Sequence, residues 1–155
     1  MTGPLVMRPI GRVVGGRVDA IDDGWDTESA TIELDPDEVG VGATDGLAEF
    51  SHIEVLFCFD RVAEDEVCRG TRHPRGRSDW PSVGILAQRA RDRPNRIGVT
   101  VCRLVRVGRH SLGVTGLDAI EGTPVLDVKP YLAEFAPRGT VRQPSWSSEL
   151  MSGYW

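Results

Sequence analysis

The chain of 155 residues has one lysine, Lys129, against seventeen arginines, and only three cysteines. Cys58, Cys68 and Cys102 are an odd number with no close pair. That spacing argues against a disulfide framework and against a zinc site, and it suits a reducing cytoplasm. Long apolar runs are missing too. The longest, Val55-Leu56-Phe57-Cys58-Phe59, is ended by Asp60-Arg61 and is far too short to cross a bilayer. The first residues lack a basic region followed by an apolar core, so no signal peptide is expected. No G-x-G-x-x-G follows a strand pattern, and no strand–helix alternation exists to house one. Internal repeats are absent as well.

Charge is unevenly spread. Between Val18 and Asp60 there are thirteen acidic residues and no Lys or Arg, whereas Arg61 to Arg109 carries twelve arginines against five acids. The net charge of −5 therefore says little about partners, because a polyanion feels the local field. Either the two regions neutralise each other in the fold, or they face different ligands.

What is present is mainly strand. Pro9–Val14 is a short β-like opening, and Ala30–Leu34 alternates with period two. Asp35-Pro36-Asp37 makes a turn. Gly46–Phe50 reads as one helical turn capped by Asp45. Ser51–Phe59 is the clearest strand: Ile53, Val55, Phe57 and Phe59 share one face, and His52, Glu54, Leu56 and Cys58 the other. Residues 64–82 show no periodicity and read as a mobile basic loop. Strands resume at 83–87, 97–107, 112–117 and 123–128. The last eighteen residues are polar, end in aromatics, and read as an ordered tail packed on a neighbour. Many short strands with Gly/Pro turns predict an all-β fold, a small single-sheet β-barrel with short helical turns and a long basic loop. The expected division is a tail over 1–7, a barrel domain over 8–136 and a tail over 137–155.

Three blocks carry chemistry. They are Gly46-Leu47-Ala48-Glu49-Phe50-Ser51-His52, then Gly84-Ile85-Leu86-Ala87-Gln88-Arg89 running to Arg93-Pro94-Asn95-Arg96-Ile97-Gly98, then Leu117-Asp118-Ala119-Ile120-Glu121-Gly122-Thr123-Pro124-Val125 running to Lys129-Pro130-Tyr131. In this order they resemble the TrmO family (TsaA-like domain) over residues 8–135. The resemblance implies a non-Rossmann barrel that binds S-adenosyl-L-methionine, as a homodimer with the cofactor near the subunit interface. It also implies methylation of the exocyclic amine of a threonylcarbamoyl-modified adenosine beside the tRNA anticodon. By position, it implies cofactor contacts from Asp60, Arg61, Arg89, Val101 (through its backbone), Leu117, Asp118, Ala119 and Ile120. Arg93, Asn95, Lys129 and Tyr131 are candidates for the substrate side.

The chemistry of these side chains is consistent with such roles. A carboxylate such as Asp118 can hold an ammonium or a ribose hydroxyl, and an arginine such as Arg89 can pair a carboxylate bidentately. Blander roles stay open: a turn-forming Asp118, a surface salt bridge at Arg89, a solvated Lys129, a satisfied core histidine at His52. Pro94-Asn95 reads as a turn in which Asn tolerates a left-handed backbone. Methyl transfer from a sulfonium needs alignment more than a strong base, so neither a metal nor a covalent intermediate is expected.

Two departures from the family pattern bear on substrate. An acidic stretch, Asp19–Asp26, stands where a Pro-Arg-Gln element is usual, and Asp60-Arg61 replaces His-Gln. The chain also stops at Trp155, without the further region of longer bacterial members. An acidic patch beside the site would repel tRNA phosphates and favour a small cationic or neutral acceptor, whereas the eight arginines of 69–96 favour RNA. Three readings follow: a tRNA methyltransferase, a methyltransferase for a small metabolite, and a non-catalytic cofactor-binding protein. A cytoplasmic location goes with all three.

Overall fold

A computed structural model describes residues 3–155; residues 1 and 2 of the expected N-terminal tail lie outside the described residues. Among the described residues eight strands form, β1 (Gly11–Val14), β2 (Ser29–Leu34), β3 (His52–Cys58), β4 (Thr71–Arg72), β5 (Val83–Gly84), β6 (Ile97–Val107), β7 (Ser111–Thr115) and β8 (Pro124–Pro130), with one α-helix, α1 (Ser145–Leu150). Six of them close a barrel in the order β1-β2-β7-β6-β3-β8, with antiparallel neighbours throughout. β4 and β5 make a separate two-stranded ladder. The all-β barrel expected from the strand pattern is what forms.

Period-two alternation builds the interior. Ile53, Val55 and Phe57 are fully buried, and they meet Val13, Ile32, Leu112, Val114 and Val125 from the other strands. Phe59, expected on the same face, lies beyond the strand end and is half-buried, its ring edge-on to Phe57 at 5.2 Å. Phe57 is paired with Gly98. A Cβ at Gly98 would overlap the Phe57 ring, so glycine there makes room for the largest fully buried side chain of the core.

Several local expectations need correction. The helical turn at Leu47–Glu49 is capped by Gly46 in the left-handed region, without any side-chain bond from Asp45. Residues 83–87 are half strand: after Gly84 the chain turns into a 3₁₀ turn over Ile85–Ala87. The left-handed residue of the Arg93–Arg96 turn is Arg96 (φ 52°), not Asn95. Most importantly, the stretch 64–82 is built rather than loose. It holds 3₁₀ turns at Glu64–Glu66 and Pro74–Gly76 and the strand β4, and its arginines form ion pairs, some near and some distant in sequence. Arg69 meets Glu64 at 2.5 Å and Arg72 meets Asp92 at 2.6 Å. Arg77 pairs with Asp79. None of the helices among the described residues is long and apolar enough to cross a membrane.

Candidate functional site

β6 is paired on both edges over only part of its length. β6 pairs with β3 from Ile97 to Arg103, but with β7 only from Arg103 to Val107. The N–H of Leu104 bonds to Ser51 on the β3 side. Backbone groups alternate along a strand, so those of Val99 and Val101 point to the opposite edge, where no strand lies alongside. This open edge is a row of backbone donors and acceptors. Arg89 closes one end of it, donating from Nη2 to the Val99 carbonyl at 2.8 Å.

Across the gap runs the segment that follows β7. Leu117 and Ala119 are buried in the core and anchor it, which leaves Asp118 between them turned into the gap. Its Oδ1 accepts the hydroxyl hydrogen of Thr100, and its Oδ2 accepts that of Tyr154. Thr100 is buried on the inward row of β6, so Asp118 ties the open half of β6 to the loop that β7 feeds. The neighbouring Cys102 thiol is pushed up to about 12, by burial first and by the Asp118 charge second. Burial, and then Asp118, also raise the pKa of Tyr154 and so hold its hydroxyl protonated, while the Arg89 charge opposes them. Arg89, Val99, Thr100, Asp118 and Tyr154 thus form one constellation on the seam.

The other expected residues scatter. Arg61 donates to the Glu121 carbonyl at 2.9 Å, which braces the turn after Ile120, and Asp60 beside it is exposed. Arg93 donates to the Gln88 carbonyl at 2.8 Å and supports the Arg89 loop from behind; Asn95 is exposed. Lys129 lies on β8 opposite Glu54 and is ion-paired with Asp127 at 2.6 Å. The bond to Asp127 raises its pKa. Tyr131 follows β8, with its N–H on the His52 carbonyl at 3.0 Å. His52 is not a core residue: it sits half-buried on the outer face of β3, with Nδ1 2.7 Å from the Ser51 hydroxyl. Sequence reasoning missed Thr100 and Tyr154. Thr100 was detectable as a polar residue on the inward row Gly98-Thr100-Cys102-Leu104. Tyr154 carried no signal.

The acidic stretch is partly neutralised. Arg75 pairs with Asp23 at 2.8 Å and with Asp22 at 3.7 Å, and Arg103 pairs with Asp26 at 3.1 Å. Arg17 pairs with Glu28 at 2.9 Å and lies over the Trp25 ring at 4.0 Å. The repulsion expected between this stretch and phosphates is correspondingly weakened, because its carboxylates face guanidinium groups of the same chain. Within 69–96, Arg69, Arg72, Arg75, Arg77 and Arg96 also face carboxylates, whereas Arg89 and Arg93 bond to backbone carbonyls. Two surface concavities, of about 310 and 500 Å³, lie elsewhere, along Pro9–Pro36 and Val41–Arg109. Neither is lined by residues of the seam.

The description "tRNA-methyltransferase O N-terminal domain" belongs to a family model that matches residues 22–136. The chain belongs to this family. Its TrmO-like barrel also superposes on a crystal structure of TrmO from P. aeruginosa with a TM-score of 0.75 and 27% identity, covering 94% of this chain and 63% of that one. The human tRNA (adenine(37)-N6)-methyltransferase is 37% identical over 99 residues, 64% of this chain and 22% of that protein. A "Probable S-adenosyl-L-methionine-binding protein" of Methanothermobacter thermautotrophicus is 37% identical over 137 residues, 86% of this chain and 94% of the relative. The chain spans less than half the length of the first curated relatives it matches.

Proposed function

We propose that this TrmO-family chain is an S-adenosylmethionine-dependent methyltransferase whose acceptor is the exocyclic amine of an adenosine in tRNA, beside the anticodon. The juxtaposition of a carboxylate, a guanidinium and an open strand edge on one seam carries the cofactor part of this reading, and the likeness to a tRNA (adenine(37)-N6)-methyltransferase carries the acceptor part. The residues suit the cofactor. Each oxygen of Asp118 receives one hydrogen bond, which leaves acceptor sites for an ammonium or ribose hydroxyl. Arg89 uses one N–H on Val99 and keeps a fork for a carboxylate. The edge groups of Val101 are a donor and acceptor pair of the kind an adenine edge can read. Leu117 and Ala119, buried in the core, hold the loop that presents Asp118, Ile120 follows them, and Arg61, next to Asp60, braces the Glu121 turn.

The methyl group and its leaving sulfur belong to the cofactor. What the chain contributes is alignment. Orienting the two reactants is worth up to about 7–11 kcal/mol, and a rigid strand with a braced loop supplies it. The amine loses its extra proton once alkylated, to a carboxylate or to water, so no strong base is required. Arg93, Asn95, Lys129 and Tyr131 are proposed for the acceptor side. A shallow seam on one copy fits a homodimer in which a second copy completes the groove. Three free thiols fit a cytoplasmic setting. The acidic stretch that favoured a small metabolite and the basic segment that favoured RNA are both partly paired within the fold, so the tRNA reading rests on the family and not on charge.

The test is mass spectrometry of tRNA nucleosides and of small metabolites from cells with and without the gene. The reading requires loss of a methyl mark on a modified adenosine. Unchanged tRNA with a methylated metabolite lost would replace it with the metabolite reading, and cofactor binding without either change would leave a non-catalytic binder.

A further inference from the structure

The segment after the barrel folds back onto the seam. It is held at three places. The indole N–H of buried Trp80 donates to Glu149 Oε2 at 2.9 Å. The N–H of Gly24 bonds to the Gly153 carbonyl at 3.0 Å, and that of Trp25 to the Tyr154 carbonyl at 2.9 Å. The platform under it is rigid, because Arg17 donates to the carbonyls of Ile21, Asp23 and Gly24 at 3.2, 2.9 and 2.8 Å. Such a strap delivers one functional group, the Tyr154 hydroxyl, to Asp118. We propose that Tyr154 is a positioning residue for the cofactor-binding carboxylate, locking Asp118 across the seam from β6.

The proposal rests on the reading above that Asp118 faces the cofactor. Two features favour positioning over occlusion. Tyr154 and Thr100 each take one acceptor site on a different oxygen, so the carboxylate cannot rotate yet keeps open sites on both. Trp155, the neighbour that would have to enter the groove to block it, is instead 53% exposed and stands edge-on to Tyr154 at 4.9 Å. The same burial that shields the hydroxyl keeps it protonated and therefore a donor. A preorganised carboxylate binds its partner without first being ordered.

Calorimetry with S-adenosylmethionine separates the possibilities, using the full chain, Tyr154→Phe, Asp118→Asn and the double variant. Tyr154→Phe keeps the ring and removes only the hydroxyl. It is expected to raise Kd about fivefold, the worth of one ordinary hydrogen bond, and to change nothing further in the Asp118→Asn background. A purely structural role would cost the same in both backgrounds and would overturn the proposal. So would an unchanged Kd, and so would a lower one, which would make the strap a competitor for the site. If Tyr154→Phe does not fold, Glu149→Ala, which frees the strap from Trp80 and leaves Tyr154 in place, must raise Kd in the same direction. Failure of the unmodified chain to bind S-adenosylmethionine would remove the underlying reading, and it is seen before any variant is made.

Discussion

The two halves of β6 share one backbone and do different work. From Arg103 to Val107 the strand is paired on both edges or turned into the β7 hairpin, and its neighbours Leu112 and Val114 are fully buried. From Ile97 to Cys102 it is paired on one edge only, and the free edge is bordered by Arg89, Asp118 and Tyr154. One half is covered by hydrogen bonds and apolar contacts, so changes there act on folding. The other leaves backbone groups and charges accessible, so changes there act on binding. A barrel that leaves part of β6 unpaired exposes polar backbone groups without disrupting its core.

That contrast can be broken by substitution. Leu112→Ala, on β7 opposite Val107 of the covered half, is expected to cost about 2–5 kcal/mol of stability in urea unfolding, while the folded fraction binds S-adenosylmethionine unchanged. Arg89→Ala, on the open half, reverses the pattern. It should weaken cofactor binding about tenfold, close to 1.4 kcal/mol, with little change in the unfolding midpoint. Equal losses of stability from both variants would erase the distinction.

The open half should also report through Cys102. Its folded thiol ionises at about 12 against the usual 9.0. The unfolded chain therefore releases that proton first as pH rises. Stability from the neutral buried thiol is complete below pH 9 and falls between 9 and about 12, by about 1.4 kcal/mol per pH unit; Tyr154 acts in the same direction. Cys102→Ser should flatten the alkaline limb of a stability profile. The smallest effect is expected away from both halves: Arg75→Ala breaks the pairs with Asp22 and Asp23 and should cost under about 1 kcal/mol in a thermal melt.

The same contrast explains what was legible in the amino-acid sequence. Strands such as His52–Cys58 and Ile97–Val107 show themselves because burying one face imposes period two. Residues 64–82 do not, since two-residue strands and single 3₁₀ turns are stabilised by distant partners such as Asp92 for Arg72 and have no local pattern. The family resemblance pointed to Arg89, Val101 and Asp118, which the fold brings to one seam. It also pointed to Asp60, Asn95 and Lys129, which lie exposed and away from that constellation. Thr100 could have been picked out by its polarity on an apolar row. Tyr154 could not, because its link to Asp118 spans 36 positions and arises only when the strap docks on Gly24 and Trp25. The acidic stretch misled for a related reason: net charge along a chain does not reveal that Arg17, Arg75 and Arg103 converge on it.

The most direct test of the account is residue-resolved amide NMR with and without S-adenosylhomocysteine. The account predicts that the Val99 and Val101 amides exchange quickly in the free protein. The Val101 amide should then slow on binding, with the largest shift changes at Val101, Asp118 and Tyr154. Protected amides at Val99 and Val101 in the free protein, or shift changes centred on the covered half or on the Val41–Arg109 concavity, would contradict it.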